Sequence, residues 1–196
     1  MIIALSGYAG AGKDTVADAL VKKYGFTKYA WADSLRMAAS ALNPIVAWAV
    51  GGDEYYEGDG AIRYNDVIEQ VGYNDAKFQF PEVRELLQRL GTEVGRELIG
   101  DNVWVDATLR RIERDGNLDS NIAITDCRFP NEAQAVKDRG GFVVRVTRPG
   151  IEAVNAHPSE TSLDNWPFDS MYMNSGSLDD VDLCAGDLYD ALKSSQ

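Results

Sequence analysis

Residues 7–14 (GYAGAGKD), near the start of the chain, combine the residue types that bind phosphate groups. The glycines let the backbone curl around an anion, so that successive N–H groups point inward. An apolar run, 1–5, precedes this turn and a helical pattern, 15–24, follows it, which would place the anion at the positive end of a helix. A chance glycine-rich turn is the alternative. The order of strand, turn and helix favours a phosphate-binding loop, whose contacts would come from Gly10, Ala11, Gly12 and the mobile cation of Lys13.

The residue after the lysine departs from the usual pattern of such loops. Ser or Thr normally stands there and ligates magnesium through its hydroxyl, whereas this chain has Asp14, with Thr15 one place later. A carboxylate is also a hard oxygen ligand that suits Mg²⁺, directly or through water. The alternative role is a cap of the first helical turn, where negative charge is favourable. Both roles stay open for Asp14, and the hydroxyl and amide of Thr15 are expected near an inner phosphate.

A second chemical motif ends the apolar run 122–125. Asp126 follows this run directly, and in a parallel sheet its carboxylate would emerge beside the phosphate loop, where it can hold magnesium and its water. Arg128, two residues later, could reach a transferred phosphoryl group and neutralise the charge that develops on it. A structural ion pair between Asp126 and Arg128 is the alternative, but the phosphate loop favours the functional interpretation.

Strand and helix patterns alternate along the chain, which predicts an α/β fold around a mostly parallel sheet. The helical pattern that begins at Pro81 carries an apolar stripe, made of Leu86, Leu87, Leu90 and Val94. The segment 49–75 is rich in glycine and acidic residues, so we expect there, without a core element, either a loop or lobe over one mouth of the cleft or a solvated acidic loop without contact to ligand. Strands are predicted at 2–6, 27–30, 122–125, 142–146 and 171–173, and further helices at 33–42, 103–114, 131–139 and 178–192. No repeat or linker divides the 196 residues into independent domains.

Composition narrows the class of protein. The net charge of −12 argues against a protein that coats nucleic acid, although a few arginines in a cleft can still attract a small anion. Cys127 and Cys184 are far apart and indicate reduced thiols in a cytoplasmic protein, while the single His157 excludes a histidine-rich metal site. No apolar run reaches the length of a membrane span, and no secretory leader pattern occurs.

Six sequence blocks lie in one order along nearly the whole chain. They are 7–15 (GYAGAGKDT), 29–36 (YAWADSLR), 87–93 (LQRLGTE) with Arg96 and Trp104, 126–132 (DCRFPNE), 157–160 (HPSE) and 174–178 (NSGSL). In this combination the chain resembles the phage deoxynucleoside monophosphate kinases, within the P-loop nucleoside monophosphate kinase superfamily. The Lys-Asp-Thr ending of the phosphate loop, unusual by the general pattern, is normal in this group.

The resemblance implies a P-loop kinase fold: a mostly parallel five-stranded sheet flanked by helices, with an inserted monophosphate-binding lobe and a lid. We map the core to 1–32, 115–147 and 168–196, the lobe to about 33–114 and the lid to about 148–166. The implied activity is the transfer of the γ-phosphoryl group of ATP, with Mg²⁺, to the 5′-phosphate of a deoxynucleotide. Asp14 and Asp126 would then be the residues near the metal.

The same resemblance implies roles for further side chains. Arg148, from the lid, would join Lys13, Asp126 and Arg128 in catalysis. Arg36, which follows Asp33, is the first candidate for binding the acceptor phosphate, and Arg84 and Arg96 are the second. The loop that contains Asn174 and Gly176 would lie near the adenine of ATP. Four residues are candidates for contacts with the acceptor base, although each could equally be a core or rim residue: Trp31, Tyr64, Gln88 and Trp104.

Other functions stay open at this point. A P-loop kinase for dephospho-coenzyme A, gluconate or phosphomevalonate would share the phosphate loop. A slow nucleotide-dependent switch is a second class, but the Asn-Lys-x-Asp motif of guanine-specific switches is absent from the sequence. A nucleotide-binding module without turnover is a third. We expect small-molecule substrates, no nucleic acid or membrane partner, and a location in the cytoplasm, that of a host if the chain is of phage origin. A homodimer would agree with the resemblance.

Overall fold

The computed structural model describes residues 1–49, 60–152, 161–175 and 178–194. These residues divide into two compact units, one formed by Met1–Trp31 with Val105–Gln196 and the other by Ala32–Trp104. In chain order the elements are β1 (Ile2–Ser6), α1 (Lys13–Tyr24), β2 (Thr27–Tyr29), α2 (Trp31–Leu42), β3 (Ile45–Ala49), β4 (Gly60–Arg63), α3 (Tyr64–Gln79), α4 (Pro81–Arg89), a π-helix (Leu90–Ile99), α5 (Val103–Arg114), β5 (Ile122–Ile124), α6 (Pro130–Lys137), β6 (Phe142–Thr147), β7 (Ser170–Met173) and α7 (Leu178–Lys193).

The first unit is built on a five-stranded sheet in the order β2-β5-β1-β6-β7, in which every pairing is parallel. The predicted fold class, a mostly parallel five-stranded sheet flanked by helices, is therefore confirmed. Because all strands run the same way, the segments that follow β1, β5 and β6 leave the sheet at the same edge. The middle position of β1 places the segment that follows it between the other two, which is where open α/β sheets bind ligands.

The alternation of side chains along the strands gives this sheet two apolar faces. On one face Ile3, Leu5 and Val144 form a cluster with Leu20 of α1 and Leu188 of α7. The opposite face packs in a second cluster, whose members include Ala4, Val143, Ile124, Ile112 and Val136. Side chains on both faces of the strands are buried, as expected for a parallel sheet covered by helices on its two sides.

The second unit has a core of its own, formed around α2, α3, α4 and the antiparallel pair β3–β4. The cluster of buried side chains includes Ala39, Val46, Ile62, Val67 and Val83. Within the described residues, no helix of either unit has the length and apolar character needed to cross a membrane.

Our expectation of a segment without core elements at 49–75 was wrong for the part that the structure describes. Residues 60–63 form β4, and α3 begins at Tyr64, whose side chain is fully buried. The signal was present in the sequence, because four apolar residues recur at helical spacing: Tyr64, Val67, Ile68 and Val71. Gly72, at φ 78°, kinks α3 and hides the pattern in its second half.

The apolar stripe predicted from Leu86 to Val94 is also incorrect at its end, because α4 continues into a π-helix. Its wider turns, closed by i→i+5 bonds, rotate the following residues away from the expected face. Val94 is accordingly 40 % exposed, whereas Gly95 is buried. The absence of a side chain at Gly95 has a clear cause, since a Cβ there would lie 2.6 Å from Cζ2 of Trp104.

This contact predicts the effect of a substitution in the second unit. Gly95→Ala should lower the stability by about 1–3 kcal/mol, because the added methyl group forces the Trp104 ring to move. Gly60→Ala is the matched control, since no atom lies within 4 Å of a Cβ at that position. Urea unfolding followed by tryptophan fluorescence measures both variants. An equal midpoint for Gly95→Ala and the wild type would contradict the packing described here.

Candidate active site

The predicted phosphate loop connects the carboxyl end of β1 to the start of α1. Helix α1 begins at Lys13, and the backbone N–H of Val16 donates to the Gly12 carbonyl at 3.1 Å, closing the first helical turn. The backbone N–H of Ala11 donates to the Tyr8 carbonyl at 3.2 Å within the loop. The first N–H groups of a helix have no partner within the helix itself, so a helix start of this kind suits an anion.

Two glycines of the loop are required by close neighbours. A Cβ at Gly7 would collide with the backbone carbonyl of Val146 in β6, and one at Gly12 would collide with the side-chain amide of Asn174. Gly12 also has a φ of 93°, in the left-handed region that side chains disfavour. Glycine therefore lets the loop approach the ends of the neighbouring strands β6 and β7 without a clash.

Lys13 reaches back over the loop that precedes it. Its ammonium nitrogen Nζ donates to the carbonyl of Gly7 at 2.7 Å and to that of Tyr8 at 3.0 Å. These bonds hold the positive charge above the turn rather than in open solvent. A cation that is bonded to carbonyl oxygens of the loop can exchange them for the oxygens of a bound phosphate.

Asp14 stands in the first turn of α1, as the capping alternative requires, and its side chain is 76 % exposed. Lys28 of β2 lies near it, with 3.6 Å between Nζ and Asp14 Oδ1, and a closer contact of 2.7 Å to Asp18. The hydrogen bond to Asp18 is the main cause that raises the pKa of Lys28. Thr15 is partly buried, and its Oγ1 lies 4.0 Å from the position of a Cβ on Gly12.

Asp126 follows β5 at the same edge of the sheet as the phosphate loop. Its Oδ1 accepts a hydrogen bond of 2.7 Å from the backbone N–H of Trp31, at the first residue of α2. The carbonyl of Trp31 in turn accepts a bond of 3.4 Å from the Thr108 hydroxyl. The Trp31 side chain is 2 % exposed and belongs to the core of the first unit, which is the structural alternative that the sequence left open.

The backbone around Arg128 is fixed by a buried carboxylate. Oε2 of Glu132, in the first turn of α6, accepts hydrogen bonds from the N–H of Arg128 at 2.7 Å and of Phe129 at 3.1 Å. Glu132 is only 3 % exposed. The presence of Glu132 in the block 126–132 therefore has a physical explanation. The Glu132 carboxylate holds the backbone from which the Arg128 side chain extends.

Arg148 follows β6 and lies in an exposed turn, closed by a hydrogen bond of 3.1 Å from the Ile151 N–H to the Arg148 carbonyl. The end of the turn lies against the phosphate loop, since Cδ1 of Ile151 is 3.6 Å from the position of a Cβ on Gly10. Lid residues 153–160, with His157, lie outside the described residues.

Sequence reasoning missed a cluster of three side chains beside the loop. The guanidinium of Arg145, a residue only 8 % exposed, donates to Asp164 Oδ1 at 2.8 Å and lies 4.6 Å from the centre of the Tyr8 ring. The Tyr8 hydroxyl donates to the same carboxylate oxygen at 3.0 Å. The pKa of Tyr8 is raised by burial and by this carboxylate. An arginine within the apolar strand 142–146 was the signal that could have revealed it.

Asn174 follows β7, and its side chain is directed at the phosphate loop. Its Nδ2 donates to the Ala11 carbonyl at 3.0 Å, while its own backbone N–H donates to the Thr147 carbonyl at 2.7 Å. The residue is 7 % exposed. Gly176, which the sequence placed with it, lies outside the described residues.

In the second unit, Arg36 is held by two neighbours within α2 and α3. Its Nη1 lies 3.2 Å from Asp33 Oδ1, and its guanidinium carbon lies 4.2 Å above the centre of the Tyr73 ring. Lys77 approaches the same ring at 4.3 Å. Two cations thus lie close to the Tyr73 ring, which concentrates positive charge in this part of the unit and suits it to an anion.

The other acceptor candidates of the second unit occupy different environments. Arg84 and Gln88 are exposed, one helical turn apart on α4. Tyr64 lies in the core of the unit, and burial raises its pKa. Nη1 of Arg96 donates to the Asp101 carbonyl at 3.3 Å, and Nε1 of Trp104 to the Gly91 carbonyl at 2.9 Å. The positive charge of Arg36 partly offsets the rise in the pKa of Tyr64.

The oxygen donors at this edge of the first unit suit magnesium. Mg²⁺ retains several waters and binds through one or two carboxylates together with substrate phosphates. Among the described residues there is no group of three or more His, Cys, Asp or Glu side chains that could form a closed metal site. Asp14 and Asp126, as separate carboxylates, fit the open kind of site.

Comparisons with known proteins agree with these features. A family model described as deoxynucleotide monophosphate kinase matches residues 57–183. A protein of Acanthamoeba polyphaga mimivirus assigned as such a kinase is 30 % identical, over 83 % of this chain and 82 % of the relative. The chain belongs to the deoxynucleotide monophosphate kinase family. The resemblance drawn from the six sequence blocks is thereby confirmed.

A further relative and one solved structure extend the comparison. The deoxynucleotide monophosphate kinase of Escherichia phage RB69 is 27 % identical, over 92 % of this chain and 96 % of its own length. The dephospho-CoA kinase from Campylobacter jejuni superposes with a TM-score of 0.50 at 11 % identity, covering 100 % of this chain and 98 % of the other. At that identity the structural likeness shows the fold alone.

The site also predicts a chemical property of this family member. Cys127, next to Asp126, is 1 % exposed, and its pKa is well above the usual value because of burial, with smaller effects of the Glu132 and Asp126 charges. The thiolate, which is the reactive form, is therefore scarce at pH 8. Iodoacetamide at pH 8 should leave the Cys127 peptide unmodified in the folded protein and alkylate it in urea, as measured by peptide mass spectrometry. Rapid alkylation of the folded protein would contradict the buried position.

Proposed function

We propose that this protein transfers the γ-phosphoryl group of ATP to the 5′-phosphate of a deoxynucleoside monophosphate. One observation carries the proposal: the glycine turn at the end of β1, with Lys13 bonded over it, stands in a chain of the deoxynucleotide monophosphate kinase family. The products are ADP and a deoxynucleoside diphosphate. No general base is needed, because the acceptor phosphate oxygen is already ionised near neutral pH.

The first unit binds the donor. Backbone N–H groups from Gly10 to Thr15 bind the ATP phosphates at the positive end of α1. Lys13 exchanges its two carbonyl partners for oxygens of the outer phosphates. Asp14 and Asp126 would hold Mg²⁺ through its waters, and the ion would neutralise the phosphate oxygens and orient them. Asp126 meanwhile keeps its hydrogen bond to the Trp31 N–H, so that its carboxylate is held in one orientation.

Two arginines of the first unit stabilise the transferred group. Arg128 extends from a peptide that Glu132 fixes, and Arg148 from the turn that lies against Gly10 through Ile151. Phosphoryl transfer requires little covalent chemistry from the protein, so positioned positive charge provides most of the catalysis. We place the lid at about 148–166, as the sequence predicted.

The second unit binds the acceptor. Arg36 is the first candidate for the acceptor phosphate, because Asp33 and the Tyr73 ring hold its guanidinium in place before any ligand arrives. A planar guanidinium in a fixed orientation binds a phosphate with little loss of side-chain entropy. The exposed pair Arg84 and Gln88 is available for further contacts, whereas Tyr64 and Trp104 support the core and the π-helix in this structure. The monophosphate lobe stays predicted at about 33–114, although residues 105–114 belong to the first unit.

A coupled assay of ADP release identifies the acceptor. It should be run with ATP, MgCl₂ and each of dTMP, dGMP, dAMP and dCMP, with their ribose counterparts and with dephospho-coenzyme A, gluconate and phosphomevalonate. Turnover with at least one deoxynucleotide well above every other acceptor is expected. Turnover with dephospho-coenzyme A alone would contradict this function. It would instead identify a P-loop kinase that acts on another small acceptor. ATP hydrolysis unaffected by every acceptor would support a switch instead.

The organisms of the matched kinases support a proposal about where the protein acts. Since the matched kinases come from viruses, we propose that the chain acts on free nucleotides in the cytoplasm of a host. The homodimer stays a prediction.

Removal of the loop cation tests the donor site. Lys13→Ala should lower kcat by about a hundredfold or more, because positive charge on the outer phosphates is lost in the transition state. Lys22→Ala, an exposed lysine on the same helix, is the matched control and should keep full activity. Steady-state kinetics with circular dichroism for both variants separates catalysis from folding. Equal turnover of Lys13→Ala and the wild type would refute the proposed catalysis.

Removal of the preorganised guanidinium tests the acceptor site. Arg36→Ala should raise KM for the deoxynucleotide by about tenfold or more, since a hydrogen bond to a charged group is lost, with little change in KM for ATP. Arg89→Ala is the control, because Arg89 forms exposed ion pairs with Glu85 and Glu93 on the same helical stretch. If KM rose equally for ATP and for the deoxynucleotide, Arg36 would not be a residue of the acceptor site.

A further inference from the structure

The side chain of Asn174 bridges two parts of the first unit that are 163 residues apart in sequence. Its Nδ2 donates to the Ala11 carbonyl at 3.0 Å, inside the phosphate loop. The residue is 7 % exposed, so solvent competes little for this hydrogen bond. An amide bonded to the backbone of the loop is a different arrangement from one directed at a nucleotide base.

The backbone of Asn174 is fixed to the sheet. The backbone N–H of Asn174 donates to the Thr147 carbonyl at 2.7 Å, which continues the β6–β7 pairing by one residue. The Thr147 hydroxyl donates to the Tyr172 carbonyl at 3.3 Å in the same place. Asn174 therefore approaches the loop from a rigid position.

The loop is shaped to receive this amide. Gly12 has no side chain where a Cβ would collide with Nδ2 of Asn174, and its φ of 93° lies in the left-handed region. At the other end of the loop, Gly7 has no Cβ because the Val146 carbonyl of β6 occupies that space. The ends of β6 and β7 thus contact the loop at both of its ends.

The planarity of the peptide bond gives this contact a consequence for anion binding. The carbonyl of Ala11 and the N–H of Gly12 belong to one trans peptide and point in opposite directions. A hydrogen bond that holds the carbonyl toward Asn174 therefore turns the Gly12 N–H to the opposite side, where the loop can offer it to a phosphate.

We propose that Asn174 is a positioning residue that orients the Gly12 N–H of the phosphate loop for the polyphosphate of the donor, and that it acts without contact to the base. The inference deepens the proposed function and rests on it, since it names how the donor loop is held in its binding conformation. It predicts that loss of Asn174 weakens every polyphosphate ligand by the same factor, whatever base the ligand carries.

Three ligands separate positioning from base recognition: ATP, GTP and inorganic tripolyphosphate, which has no base at all. Isothermal titration calorimetry with MgCl₂ gives Kd for each. Asn174→Asp keeps the shape of the side chain but removes the donor, and it should raise Kd for all three ligands by about tenfold, from the loss of one buried hydrogen bond and the approach of a carboxylate to a carbonyl. Asn174→Ala is a second variant without the new charge and should raise all three in parallel by a smaller factor.

Asn121→Asp is the matched control. Asn121 also donates a side-chain amide bond to a backbone carbonyl, that of Tyr24 at 3.4 Å, but it lies at the start of β5, at the opposite edge of the sheet. Its other amide atom, Oδ1, accepts from the amino terminus, a contact that a carboxylate also satisfies. This variant should bind all three ligands as the wild type does.

The outcomes are distinct. Unchanged tripolyphosphate binding by Asn174→Ala, with weaker ATP binding, would overturn the inference in favour of a base contact. If Asn121→Asp raised the three Kd values as much as Asn174→Asp does, the inference would be overturned, because a general loss of stability would explain both results. If Asn174→Asp does not fold, Asn174→Ala decides by the same criterion. A wild-type protein that binds none of the three ligands would refute the proposed function itself, and the inference with it.

Discussion

The conformation of the backbone between Gly7 and Lys13 is the constraint on which the rest of the site depends. Anion binding by a loop requires several N–H groups to point to one place, and that in turn requires glycine where the backbone turns left-handed or passes close to another strand. Here β6 contacts one end of the loop and Asn174 the other. The parallel sheet supplies these contacts, because β1, β6 and β7 all end at one edge.

The charges near the loop are held by backbone and carboxylate partners rather than left mobile. Lys13 is bonded to two loop carbonyls, the peptide of Arg128 to the buried Glu132, and Arg145 to Asp164. Preorganised charge costs little reorganisation when a reaction begins, which is why electrostatic stabilisation is effective in such sites. In the second unit the pairing of Arg36 with Asp33 and the Tyr73 ring follows the same principle.

Local sequence signals predicted most of the fold and the positions of the candidate site residues along it, while the roles of those residues stay predictions. The phosphate loop, the strands of the sheet and the carboxylate after β5 each depend on neighbouring residues, so the sequence pattern was sufficient. The Tyr8–Asp164 contact spans 156 residues and depends on tertiary packing, which no local pattern encodes. Helix α3 was missed because the glycine-rich and acidic composition of 49–75 outweighed the apolar period before Gly72, and the π-helix because its winding shifts the register after Leu90.

In the proposed reaction the turn ending in Lys13 binds the polyphosphate of a nucleotide, while a second anion, the acceptor phosphate, is bound to receive the phosphoryl group. A crystal structure with adenosine and deoxythymidine joined by a 5′,5′-pentaphosphate tests it most directly. We expect the phosphates of the adenosine half to contact the N–H groups from Gly10 to Thr15, with Lys13 Nζ released from the carbonyls of Gly7 and Tyr8. An analogue bound elsewhere, with Lys13 still bonded to both carbonyls, would contradict the account.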